Sequence, residues 1–164
     1  MPAERERGFT LIEILVVVLI IGITIGFALL AFGDFGASRR AIVSTEQLSA
    51  YIKLLQQRAI IENNSLGIDI NNEGYSTLRL EQGRWQNMPA KAIFRPRTFP
   101  DNIFAYVQTR GKVTNKGPDI IIDSSGELSS FSITLGTTQK PAIATLYSGA
   151  DGQLTIQLVK NQNE

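Results

Sequence analysis

Neither cysteine nor histidine occurs in the sequence. Without cysteine the chain has no disulfide framework and no thiol chemistry. Without histidine it lacks the commonest general base and metal ligand. Positive and negative residues nearly cancel, with a net charge of +1, so no overall basic field points to nucleic acid. A nucleophile would therefore need a lysine or carboxylate partner at a strained turn. We predict that the protein is not an enzyme and needs no cofactor.

The sequence has few acidic residues in positions that suit a metal. Asp119, Asp123 and Asp151 do not follow the spacing of a calcium-binding loop. The neighbouring Ser124-Ser125-Gly126 is typical of a tight turn. We therefore predict no metal site and no catalytic site in this region.

The most distinctive stretch is an apolar run over residues 9–32, whose 24 residues include one charge, Glu13. As a helix it would be about 36 Å long at ~1.5 Å per residue, enough for a hydrocarbon core of ~30 Å. A cleaved signal peptide would have a shorter run without a carboxylate, although Ala31-Phe32-Gly33 has the small-x-small form of a cleavage site. A plain anchor with Glu13 at the interface leaves Gly8-Phe9 unexplained. We predict a transmembrane helix over 9–32.

Residues Gly8-Phe9-Thr10-Leu11-Ile12-Glu13 resemble the class III leader of type IV pilins and type II secretion pseudopilins. The resemblance implies that residues 1–8 are a leader, that prepilin peptidase cuts between Gly8 and Phe9, and that Phe9 is N-methylated. Because the cut precedes the apolar run, that run would stay as a single-pass anchor in the inner membrane. Basic residues flank both ends of it, so charge alone gives no orientation. The resemblance implies a cytoplasmic leader and a periplasmic globular domain.

Glu13 is a carboxylate in a membrane helix, at a cost of up to about 3 kcal/mol at mid-bilayer and less near the edge. Cleavage after Gly8 would expose a cationic amine on Phe9, four positions away on the same helix face. In a staggered bundle that amine can meet Glu13 of a neighbouring subunit, which the resemblance implies as well. The alternative is a locally neutralised glutamate without an assembly role.

The period of the apolar residues changes along the rest of the chain. Residues 33–62 form an amphipathic half of the N-terminal helix, with a stripe at Ala41, Leu48, Ile52, Leu55 and Ala59, which Asn63-Asn64 ends. Residues 63–164 alternate instead, and strands are predicted at 66–70, 75–80, 84–86, 103–108, 119–122, 131–135, 142–147 and 154–158. The proline-containing 88–102 is predicted to be a loop or an edge segment of a sheet, and the glycine-containing 110–118 is predicted to be a loop. The predicted fold class is α+β: a long helix packed on two antiparallel β-sheets.

Three globular segments sharpen the resemblance. Residues 78–85, 120–128 with Phe131, and 151–154 are similar to the H-type minor pseudopilins, the GspH/FimT family. In physical terms, these segments are predicted to form turns in which Gly126 and Gly152 adopt positive φ. Trp85 is predicted to be an aromatic residue of the core. The resemblance implies a structural subunit in the tip region of the type II secretion pseudopilus, where it supports export of folded proteins across the outer membrane. Its partners would be the other minor pseudopilins and the major one.

An alternative is a FimT-like minor pilin that binds DNA for uptake. Binding of DNA needs a basic patch, because phosphate contacts supply most of the affinity. The candidate cations, which an ordinary solvated surface explains better than a DNA site, are Arg84, Lys91, Arg95, Arg97, Arg110, Lys112 and Lys116.

Overall fold

The computed structural model describes residues 10–109, 117–149 and 152–159, with residues 30–35 described by their backbone alone. The chain divides into two compact units, 1–36 and 37–164. Helix α1, Leu11–Glu62, contributes residues to both units. The predicted helix is confirmed from Leu11 onward. Its predicted first residue, Phe9, lies outside the described part.

The described part of the first unit is helical and apolar. Leu11–Leu29 is long and apolar enough to cross a membrane, with a mean hydropathy of 2.8, and none of it is buried within the chain. Large side chains on every side of this helix are exposed, from Val16 at 43% to Leu11 at 84%. A helix that is apolar all round needs lipid or other helices to cover it.

In the second unit the helix supplies one wall of the core. All five residues of the predicted stripe, Ala41, Leu48, Ile52, Leu55 and Ala59, are 0% exposed. The helix ends where the sequence predicts. The amide of Asn64 donates to the carbonyl of Ala59 at 3.1 Å, and Asn63 has a φ of 47°. An asparagine in the left-handed region at this point ends the helix and satisfies one of its last carbonyls.

The first sheet has five strands, β1 Leu66–Ile70, β2 Gly74–Glu81, β3 Arg84–Asn87, β4 Arg97–Thr98 and β6 Ile120–Ile122. Its order is β3-β2-β1-β6, with β4 also paired to β2, and the pairs are antiparallel. Alternate residues of β1 and β6, among them Leu66, Ile68, Ile120 and Ile122, are 0% exposed in the core that includes the helix stripe.

The second sheet has four antiparallel strands in the order β5-β7-β8-β9. They are β5 Phe104–Thr109, β7 Phe131–Gly136, β8 Ala144–Ser148 and β9 Leu154–Leu158. Ile133, Leu135 and Leu146 from its inner face are fully buried in the same core. The predicted α+β fold with two antiparallel sheets is therefore confirmed.

Three local predictions have different outcomes. The segment 88–102, predicted to be a loop or an edge segment, contains a 3₁₀ turn, Ala92–Phe94, and the two-residue strand β4, which pairs with β2. Most of the predicted loop over 110–118 lies outside the described residues. The prediction that Trp85 is a core residue is wrong, because Trp85 is half-buried on β3 at the edge of the first sheet. It covers Gly67 of β1 from the face opposite the helix, where a Cβ on Gly67 would lie 3.1 Å from the indole ring.

Candidate assembly site

The described part of the predicted assembly site begins at Thr10, because Gly8 and Phe9 lie outside the described residues. Thr10 directly precedes helix α1 and Glu13 lies in its first turn. The amide of Glu13 donates to the carbonyl of Thr10 at 3.1 Å and to its Oγ1 at 3.3 Å. Thr10 is thus the N-cap of the helix and Glu13 its N3 residue, the T-x-x-E arrangement of a capping box.

Capping gives Glu13 a local reason to be where it is. A carboxylate in the first turn interacts favourably with the positive end of the helix dipole, typically by about 0.3–1 kcal/mol. That is less than the cost of a carboxylate deep in a bilayer. Glu13 is exposed in the single chain, so its side chain is open to a group from outside the molecule.

A second polar cluster joins the helix to the first sheet. The hydroxyl of Tyr51 lies 2.5 Å from Oγ1 of Thr77 on β2, and both residues are buried. The guanidinium of Arg97 on β4 stacks 4.7 Å from the centre of the Tyr51 ring. Tyr75 and Phe99 extend the ring cluster, with centroids 5.4 Å and 5.6 Å apart in succession. Burial raises the pKa of Tyr51 and of Tyr75, so both phenols stay neutral and can hydrogen-bond.

This cluster changes the interpretation of Arg97, which the sequence offered as a DNA-binding cation. Its charge lies over an aromatic face, an attraction of roughly 0.5–2 kcal/mol that depends on how far the cation is desolvated. Arg84, Lys91 and Arg95 are exposed on β3 and the following segment, and Arg110, Lys112 and Lys116 lie outside the described residues. Arg97 therefore packs on the Tyr51 ring, although it is exposed like the other three and its charge also faces solvent.

Ion pairs and one side-chain bond fix the end of the helix. Glu62 pairs with Arg58 at 2.5 Å and with Arg79 of β2. Nε2 of Gln56 donates to the carbonyl of Gly126 at 2.9 Å. The contacts with Arg79 and Gly126 hold the last two turns of the helix against the first sheet and the turn after β6. The carboxylate of Glu62, which the helix dipole disfavours at this end of the helix, lies between two guanidinium groups.

The two described aspartates that were considered for a metal, Asp119 and Asp123, accept hydrogen bonds from different parts of the chain. Oδ2 of Asp119 accepts from the amide of Ile70 at 2.8 Å. Oδ1 of Asp123 accepts from the hydroxyl of Ser65 at 2.8 Å and from the amide of Ser124 at 2.7 Å, and the bond from Ser65 is the main cause that lowers the pKa of Asp123. Asp151 is not among the described residues. Within the described residues no group of three or more carboxylates could hold a metal ion.

Two features of the site escaped the sequence reasoning. The capping role of Thr10 is visible in the sequence, because threonine followed three residues later by glutamate is its signature. The contacts of Tyr51 with Thr77 and Arg97 have no such signal, since the three residues lie on α1, β2 and β4. Only the pairing of β4 with β2 brings Arg97 to the helix.

Comparison with known proteins agrees with this arrangement. Residues 4–29 match the family model of the prokaryotic N-terminal methylation motif. The chain is 33% identical over 144 residues to type II secretion system protein H of Pseudomonas aeruginosa, covering 80% of this chain and 84% of that protein. It is 27% identical over 159 residues to type II secretion system protein H of Klebsiella pneumoniae, covering 85% and 91%.

Solved structures show the same fold at lower identity. The minor pseudopilin EpsH from the type II secretion system of Vibrio cholerae matches with a TM-score of 0.64 and 17% identity, over 77% of this chain and 99% of that one. The solution structure of Escherichia coli GspH matches with a TM-score of 0.62 and 16% identity, over 78% and 94%. At these identities the similarity concerns the arrangement of helix and sheets.

Proposed function

The chain belongs to the family of type II secretion system protein H, and on that premise we propose that it acts in the tip region of the secretion pseudopilus. It is a minor pseudopilin, a structural subunit of type II secretion. The similarity to protein H supports the place in the pseudopilus, and the observation that carries the assembly role is an apolar helix whose capped first turn holds the single acid of Leu11–Leu29. In the tip region it would touch the other minor pseudopilins and the major one, and it would support export of folded proteins across the outer membrane.

Processing is the first step of the proposal. Prepilin peptidase cleaves between Gly8 and Phe9 and methylates the new amine of Phe9. The match of residues 4–29 to the methylation motif supports this step. The apolar segment Leu11–Leu29 then serves as a single-pass anchor in the inner membrane, with the two-sheet domain in the periplasm.

Registry is the second step. The amine of Phe9 on one subunit meets Glu13 of its neighbour, and the two charges attract more strongly among apolar helices than in water. The cap at Thr10 supports this step because it holds the first turn in a helical conformation, which fixes the direction of the Glu13 side chain. In the alternative, Glu13 is neutralised within its own subunit and needs no contact with a neighbouring subunit.

Catalysis and nucleic acid have no place in this function. We assign the protein no enzymatic activity, because it contains neither histidine nor cysteine and its family is structural. We do not propose DNA as a partner, because the net charge of +1 gives no overall basic field to attract phosphate.

The test separates capping from registry. Glu13→Gln keeps the length of the side chain but removes its charge, and Thr10→Ala removes the cap but keeps the charge. We expect mass spectrometry to show a mature chain that starts at N-methylated Phe9 in both variants. Cross-linking in cells should then show that Glu13→Gln co-assembles with the other pseudopilins at least about tenfold less, whereas Thr10→Ala, which loosens the first turn but keeps the charge, loses clearly less assembly than Glu13→Gln. Normal assembly of Glu13→Gln would contradict the registry role, and a mature chain starting elsewhere would contradict the processing step.

A further inference from the structure

The charges of the first sheet are separated by sign between its two edges. Residues 82–100 contain cations but no carboxylate, and the cations are Arg84, Lys91, Arg95 and Arg97. Residues 117–139 contain carboxylates but no cation, and the carboxylates are those of Asp119, Asp123 and Glu127. The net charge of the whole chain is only +1, so this is a local separation and not an excess of one sign. We call the four cations the basic edge and the three carboxylates the acidic edge.

The strand order places these two sets on opposite edges. Strands β3 and β4 both pair with β2 on the side away from β1, so the segment that carries the cations runs along one edge. Strand β6 pairs with β1 at the other edge, and the amide of Ser129 donates to the carbonyl of Ile121 at 2.8 Å on the outer side of β6. Three steps of ~4.8 Å separate the edges by about 14 Å, so they do not meet within one chain.

Both edges carry their charges toward the same two ends of the sheet. Arg84 opens β3 and Asp123 directly follows β6, and the register places both at one end. Arg97 in β4 and Asp119 directly before β6 lie toward the opposite end. A second copy that is shifted sideways in the plane of the sheet, without rotation, therefore brings cations level with carboxylates at both ends.

The charges are accessible to a second molecule. All four cations are exposed, and so are Asp123 and Glu127. The ion pairs among the described residues involve Arg58 and Arg79, whereas Arg84, Lys91 and Arg95 have no carboxylate partner within that part of the chain. A carboxylate from outside the chain can therefore approach these cations without breaking an existing ion pair.

The composition of the basic edge suits a protein partner. Met88, Ile93 and Phe94 are half-buried between the cations, and Phe94 packs against the core. Arginine, methionine and aromatic residues are enriched at protein interfaces. Pro89 and Pro96 lack the amide that an added strand would need, so side chains rather than backbone pairing would hold the partner. A contact with nucleic acid would use the cations alone and would leave the acidic edge without a role.

We propose that the basic edge docks on the acidic edge of a second copy of this chain. The contact is head-to-tail and leaves one edge of each sign open, so it can continue into a row of copies. Exposed ion pairs contribute little individually, so the contact depends on the high local concentration of copies that share a membrane. The inference therefore rests on the proposed membrane anchor, but it does not depend on the registry role of Glu13.

The absence of cysteine makes the contact measurable with two single substitutions. Gln86→Cys marks the basic edge and Ser125→Cys marks the acidic edge, and both positions are exposed. Full-length chains of the two kinds, with tags of different size, are mixed in vesicles of zwitterionic lipid and treated with a short bis-maleimide. We expect cross-links between the two kinds of chain to exceed those between two Gln86→Cys chains at least about fivefold, because a head-to-tail contact never joins two basic edges.

Charge reversal tests the pairing of the edges. Lys91→Glu with Arg95→Glu on the Gln86→Cys chain should lower the mixed cross-linking about fivefold, since exposed pairs become like-charge pairs. Asp123→Lys with Glu127→Lys on the Ser125→Cys chain should do the same. Mixing the two reversed chains should restore most of the cross-linking, which requires that both are folded.

Controls separate this contact from anchoring and from registry. Lys53→Glu, which reverses an exposed charge on the helix, should leave the cross-linking unchanged. Flotation of the vesicles shows independently whether the chain is anchored, and Glu13→Gln should cross-link like the parent.

The proposal is overturned if floated chains give no excess of mixed cross-links, or if the two reversed chains together do not recover them. It is also overturned if the parent captures duplex DNA, loses this capture in Lys91→Glu with Arg95→Glu, and gives no mixed cross-links, because the basic edge would then be a nucleic-acid contact.

Discussion

The contact between Tyr51 and Thr77 allows a sharp prediction about what holds the helix to the first sheet. The two hydroxyl groups are 2.5 Å apart, and the residues are 3% and 2% exposed. Tyr51→Phe removes one hydroxyl and leaves Oγ1 of Thr77 without that partner. Thr77→Val, which keeps the side-chain shape, does the same to the hydroxyl of Tyr51.

The expected magnitudes follow from burial. Leaving one buried hydroxyl without a partner costs about 1–3 kcal/mol, so each single variant should lose that much free energy of unfolding. In the double variant both polar groups are replaced by apolar groups of similar shape, which can be nearly neutral. Its free energy of unfolding should therefore lie closer to the parent than that of either single variant, with a coupling energy within the ~0.5–3 kcal/mol known for contacting residues. The phenyl ring of Tyr51→Phe keeps the contacts with Arg97 and Tyr75, so these contacts cancel when the variants are compared with the parent.

Urea unfolding of the full chain in nanodiscs provides the assay. Trp85 is the one tryptophan of the sequence and lies on β3 of the same sheet, so its fluorescence reports on this region. Tyr106→Phe is the matched control, because that residue is 57% exposed and should change stability by less than about 0.5 kcal/mol. If the double variant loses the sum of the two single losses, the hydrogen bond does not couple helix and sheet, and the reasoning fails.

Two more perturbations follow from the structure. Gly74→Ala should destabilise the domain by about 1–3 kcal/mol in the same assay, because a Cβ would lie 1.9 Å from the carbonyl oxygen of Arg97 and force β4 away; Gly117→Ala, with its nearest neighbour at 3.9 Å, should be close to neutral. The pKa of Asp123 is lowered in the fold, chiefly by the hydroxyl of Ser65, so the stability it contributes is present above the unfolded pKa and is lost as the pH falls through the folded value. Unfolding between about pH 6 and pH 3 should therefore be less pH-dependent in Asp123→Asn than in the parent, and an unchanged pH profile would contradict this assignment.

The sequence by itself determined the parts that depend on local periodicity. The apolar run, the helical stripe from Ala41 to Ala59, and strands such as Leu66–Ile70 and Leu154–Leu158 were predicted correctly. Each of these follows from which side chains share a face over a few consecutive residues, which the covalent chain alone fixes. The confirmed α+β fold follows from the change of period after Glu62.

Only the tertiary structure decided which residues meet across strands and between elements. Trp85 has a large apolar side chain that is typical of a core residue. Its strand lies at the edge of a sheet, however, so the side chain is half-buried. Arg97 meets Tyr51 because a strand of two residues pairs with β2. The outer face of the second sheet comes from four strands spread over residues 104–158, and each strand alone shows ordinary alternation. Strand order and register are set by the packing of the whole core, so these surfaces exist only once the chain has folded.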